Sequence, residues 1–128
     1  MMAKCLSTFL VVGAAVLLES LSLFAHHGTG MYDPQHPVTL EGIVTEFEFV
    51  NPHARIHIEV KDKKGSVEQW IVECSAPAKL YRSGWTAKTL KPGDRITATG
   101  FARKDGTKEM AMTKIVPQNG PVLGGDID

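Results

Sequence analysis

Ala54-Arg55-Ile56-His57-Ile58-Glu59-Val60, then the polar run Lys61-Asp62-Lys63-Lys64-Gly65, then Val67-Glu68-Gln69-Trp70-Ile71-Val72-Glu73-Cys74, is the stretch that decides the fold. Apolar Ala54, Ile56, Ile58 and Val60 alternate with Arg55, His57 and Glu59 at a period of two, the spacing of a half-buried strand and a poor fit to a helix. The polar loop returns the chain, and the second run reads as a strand paired antiparallel with the first.

Upstream, Val38, Leu40 and Ile43 to Val50 are rich in β-branched and aromatic residues, a first long strand with Gly42 as a natural bulge or bend, closed by the turn signal Asn51-Pro52. Downstream, Ser75 to Gly84 fits a short helix, with Ser75 as cap, Pro77 in the first turn and Gly84 just past the end. Lys91-Pro92-Gly93-Asp94 is a turn before a fourth strand, Arg95 to Arg103. Lys104-Asp105-Gly106 turns into a fifth, Met110 to Val116. Five strands with one helix between the third and fourth is the element order of a small all-β, OB-like Greek-key barrel. An open β-sandwich is the alternative.

The N-terminal residues carry a different pattern. Lys4 followed by the apolar run Phe9 to Leu18, too short to span a bilayer comfortably, and then by Glu19, Ser20 and Ser22, reads as a cleaved export signal. A cut after Ala25 leaves His26 as the first residue, and Ser20-Leu21-Ser22 offers a competing site. The division expected is a signal peptide over 1–25, an extended arm over 26–37, a barrel over 38–116 and a glycine- and proline-rich disordered tail over 117–128. The expected location is the periplasm or the medium, with no stable membrane insertion after cleavage.

Charge excludes one class of partner. Fourteen basic residues balance fourteen acidic ones, and no basic stripe interleaved with aromatics argues for nucleic acid. Cys5 precedes the cut, so Cys74 stands alone in the processed chain, without a disulfide partner, and reads first as a buried thiol. No catalytic signature is present: no Gly-x-Ser-x-Gly elbow, phosphate loop, His-Glu-x-x-His or Cys-x-x-Cys. Glu46, Glu48, Glu59, Glu68 and Glu73 read as a solvated sheet face.

A resemblance runs along nearly the whole processed chain. Ala25-His26-His27, Met31-Tyr32-Asp33, Val38 to Phe47, Asn51-Pro52-His53-Ala54, Gln69-Trp70, Gly84-Trp85 and Leu90 to Asp94 resemble the small exported bacterial family filed as domain of unknown function 6152. The resemblance implies an exported small domain and no particular activity.

Function must therefore be argued from His26, His27, His36, His53 and His57. A terminal His26 offers an amine and an imidazole on one residue, a chelate suited to copper. One further imidazole would complete a three-nitrogen histidine brace. Alternatively, the amine, the intervening amide and the ring of His27 would bind Cu(II) in a plane. On a regular strand His53 and His57 lie about 13 Å apart at roughly 3.3 Å per residue, too far to share a metal with bonds near 2 Å. The expected metal residues are thus His26, His27 and His53, the last carried to the barrel rim by the Asn51-Pro52 bend, with His36 in reserve. Against this stand plainer uses: His53 bonding a turn, His57 bonded on its strand, and a solvated amino terminus.

The functional expectation is an exported binding module for copper or another small ligand at the barrel rim. Its competitor is an accessory protein that docks on another periplasmic protein, its histidines serving structure alone. A redox or hydrolytic enzyme with a His26-centred metal is a third reading.

Overall fold

A computed structural model describes residues 30–124. The export signal, the cut after Ala25, and His26 and His27 lie outside these described residues. The strands are β1 Tyr32–Glu48, β2 Arg55–Lys61, β3 Val67–Glu73, β4 Arg95–Arg103, β5 Glu109–Pro117 and β6 Leu123–Gly124, with the helix α1 Pro77–Arg82 between β3 and β4. Their order in the sheet is β3-β2-β1-β4-β5-β6, and β3 also pairs with β5. That last pairing, parallel and set by Ile71 beside Glu109, Val72 beside Met110 and Glu73 beside Ala111, turns the first five strands into a barrel-like ring of the OB type. The fold is therefore the expected one rather than an open sandwich. The ring closes through β5 on β3, while β1 is flanked by β2 and β4.

One long strand makes this possible. Tyr32 to Ile43 of β1 pair with β4, and Gly42 to Glu48 pair with β2, so β1 belongs to two ladders and bends between them. Gly42 sits at that junction, where a Cβ would lie 2.9 Å from the Glu59 carbonyl oxygen. The bulge itself falls three residues later. Val44 is opposite Ile58 but Glu46 is opposite His57, leaving Thr45 as the extra residue, and its Oγ1 donates to the His57 carbonyl at 3.3 Å.

That extra residue exchanges the two faces of the strand. Before it, Val44 points inward; after it, Phe47 opposite Ile56 and then Phe49 pack on the core, while Glu46 and Glu48 turn outward. The β2 alternation is as read: Ile56 and Ile58 are fully buried and Arg55 and Glu59 exposed.

β1 starts at Tyr32, six positions ahead of the expected first strand residue, Val38. Pro34 and Pro37 are accommodated because the register with β4 is broken between Tyr32 and Pro37, and a proline missing its N–H is tolerated where a ladder is irregular. The stretch read as a tail contributes β6, which pairs with β5 through Leu123 and Gly124. The helix cap is Ala76, without a side-chain hydrogen bond, in place of Ser75; Pro77 opens the helix and Gly84, at φ +90°, follows it. Leu80 from α1 and Trp85 are fully buried against Val44, Ile56, Val72, Met110 and Ile115. The Trp85 Nε1–H donates to the Gly124 carbonyl at 3.1 Å. Tyr81, next to Leu80 on α1, is exposed. Among the described residues, no helix is long and apolar enough to cross a membrane.

Candidate functional site

Five strand ends meet at one pole of the ring, and each delivers one polar side chain. Tyr32 opens β1, His53 lies two residues ahead of β2, Glu73 ends β3, Arg103 ends β4 and Glu109 opens β5. Register brings them together: Tyr32 is beside Arg103, Arg55 beside Glu73, and Glu73 and Glu109 stand on the two strands that close the ring.

At the centre is a buried phenol. The Tyr32 hydroxyl lies 2.7 Å from Glu73 Oε2 and 2.8 Å from Glu109 Oε1. A hydroxyl has one hydrogen and can donate to only one carboxylate at a time, so the pair gathers more negative charge than the phenol satisfies. Burial, then the hydrogen bonds to the two carboxylates, push the Tyr32 phenol far above its ordinary range, which keeps it a neutral donor. For Glu73, burial alone would raise the carboxyl. Hydrogen bonds from Tyr32 and His53 outweigh it and hold the group below its ordinary value.

Two nitrogen-bearing side chains flank the pair. Arg103 Nη1 is 3.8 Å from Glu109 Oε2 and its Nη2 is 2.7 Å from Asp105. His53 Nδ1 is 2.5 Å from Glu73 Oε1, with the ring 44% exposed. The described residues give His53 Nε2 no partner, so the imidazole is fixed through one nitrogen and presents the other to solvent. A carboxylate holding one ring nitrogen while the second faces outward is the arrangement that orients metal-ligating histidines.

The remaining histidines are elsewhere. His36 lies exposed on β1 with its Nδ1 2.8 Å from Asp33 Oδ2, and that contact holds the Asp33 carboxyl below its usual range. His57 is on the outer face of the β1–β2 ladder, where its Nε2 is 3.3 Å from Glu48 Oε1; Glu46 stands beside it. His53 precedes β2 and His57 lies within it, and each is held by a different carboxylate, Glu73 and Glu48.

The sequence reading missed Tyr32, Glu73 and Glu109. The signal for Glu73 was its place at the end of an alternating strand opposite Arg55, whereas the Tyr32–Glu109 contact spans 77 positions and depends on ring closure. Cys74 is fully buried, with its thiol 3.6 Å from Met112 Sδ, and burial followed by the nearby Glu73 charge pushes it up to about 12. It is an inert core thiol. A separate cleft of about 530 Å³, bordered by Glu41, Glu59, Lys61 and Arg95, contains no histidine or cysteine in its lining.

A family model described as "Family of unknown function (DUF6152)" matches residues 15–112 of this chain. No curated protein and no solved structure matches it significantly.

Proposed function

Since the chain belongs to the family of unknown function 6152, which brings no activity with it, we propose from chemistry alone that it is an exported binding module for a first-row transition metal, copper foremost. In this reading His53 supplies a neutral imidazole ligand at the strand-end pole, and His26 and His27 supply further nitrogen donors. The observation that carries it is the His53–Glu73 contact at 2.5 Å, which leaves Nε2 as the outward donor. Glu73 and Glu109 add local negative charge that favours a cation. His26 stands six residues ahead of Tyr32, a tether of at most about 22 Å at roughly 3.6 Å per extended residue. An amine, imidazoles and no thiolate form a donor set suited to Cu(II).

The test begins with the intact mass of the exported form, which must correspond to a chain starting at His26. Cu(II) titration of that protein, followed by electron paramagnetic resonance, is then repeated with His53→Ala and with one extra residue ahead of His26. Weaker binding with both changes supports the reading. Unchanged binding in His53→Ala removes the pole from it, and absence of Cu(II) binding in the processed protein leaves docking on a periplasmic partner as the better account.

A further inference from the structure

The outer face of the β1–β2 ladder carries a second set of donors, apart from the Tyr32 pole. One carboxylate oxygen each from Glu46 and Glu48 and a ring nitrogen of His57 all lie within 4.8 Å of one another. The Thr45 bulge creates this grouping. Without it Glu46 would face Ile56 on the core side; with it Glu46 stands opposite His57 and Glu48 opposite Arg55, all on the outer face.

Two features of the grouping point to a bound cation. His57 Nε2 is shielded from solvent and has no hydrogen-bond partner, although Glu48 Oε1 is only 3.3 Å away. A buried polar nitrogen left unbonded is costly, and here it faces an anionic oxygen. Two donors bound at about 2.0–2.2 Å to one tetrahedral ion are separated by about 3.3–3.6 Å, which the 3.3 Å between His57 Nε2 and Glu48 Oε1 matches, and the Glu46 oxygen lies within 4.8 Å of both donors. Arg55 completes the picture from behind. Its Nε donates to Glu48 Oε2 at 2.7 Å, fixing one carboxylate oxygen and leaving Oε1 turned to His57, as outer partners of metal-bound carboxylates do.

We propose that Glu46, Glu48 and His57 form a binding site for a divalent first-row transition ion of the Zn(II) class, independent of the His26-dependent copper site. One imidazole and two carboxylates suit Zn(II) better than Ca(II), which takes six to eight oxygens. Three protein donors leave a coordination position for water or a ligand. Glu46 is exposed, so its carboxylate has the freedom to close on the ion.

The test is Zn(II) titration of the exported protein with ¹⁵N detection of each histidine ring separately, so a response at His57 is read apart from any at His53 or the amino terminus. The His57 Nε2 resonance is expected to shift and saturate with Zn(II) and to stay put with Ca(II). Glu46→Gln, a change at an exposed side chain that leaves the core untouched, is expected to weaken that response on the order of tenfold or more, since even outer partners of a metal contribute about that much. A His57 nitrogen unmoved by millimolar Zn(II), an equal response to Ca(II), or full affinity in Glu46→Gln would overturn the site. Each outcome leaves the copper reading to its own experiment.

Discussion

The Tyr32 hydroxyl lies 2.8 Å from Glu109 Oε1 although 77 positions separate the two residues. The contact joins the start of β1 to the start of β5, and the second contact, to Glu73 at 2.7 Å, joins β1 to the end of β3. One phenol thus spans the two strands whose pairing closes the ring.

Tyr32→Phe keeps the ring packing and removes that donor. Two half-buried carboxylates would lose a shared partner, and leaving a buried polar group unsatisfied costs about 1–3 kcal/mol. Urea denaturation at neutral pH is expected to show a loss of that size with the m-value unchanged. A loss confined to experimental error would mean that solvent replaces the hydroxyl without cost.

Gly100 answers to a different constraint, the approach of β5 to β4. A Cβ there would lie 2.0 Å from the Ala111 carbonyl oxygen, and backbone cannot yield as a side-chain tip does. Gly100→Ala is expected to destabilise the protein by about 1–3 kcal/mol or more, the range for overpacking, and by more than Gly42→Ala, whose nearest approach is 2.9 Å. Thermal melts of the two variants decide the order.

Cys74 gives a signed pH dependence. Its folded thiol holds its proton up to about 12, against 9.0 for an ordinary one. Between those values the unfolded chain ionises while the folded chain does not, so stability is complete below about pH 9 and falls as pH rises toward 12. Cys74→Ala is expected to flatten that part of the stability profile relative to the parent protein. A thiol reagent should label Cys74 in denaturant and leave it unmodified in the native state.

Deleting Thr45 tests the bulge. The deletion would restore strict alternation and turn Glu46 and Glu48 toward the space that Phe47 and Phe49 fill. Burying unpaired carboxylates costs far more than a surface change, and the expected outcome is a chain without a cooperative unfolding transition by circular dichroism.

The ease of reading each part from sequence follows from how local its cause is. Ile56 and Ile58 were legible because β2 is regular and one face is buried, so alternation alone sets orientation. The helix was legible from Pro77 and Gly84, which punctuate it whatever lies around it. Thr45 was not, because Val44-Thr45-Glu46-Phe47 suits either parity until Ile58 and Ile56 on β2 fix which residues lie inward. Tyr32 to Pro37 read as an arm because two prolines obscure a strand whose irregular register accommodates them. Of the candidate site, His53 stood out through Asn51-Pro52-His53. Its anchor Glu73 is 20 positions away and is supplied by the β2–β3 register.

The parallel pairing of Ile71, Val72 and Glu73 with Glu109, Met110 and Ala111 is the shortest of the joins in the ring, and the carboxylates of Glu73 and Glu109 sit on it. The wall of the barrel therefore has its clasp where two carboxylates converge on one phenol. The Tyr32 hydroxyl stands between those two side chains, and once it is gone their mutual repulsion falls on the three residue pairs that fasten the wall.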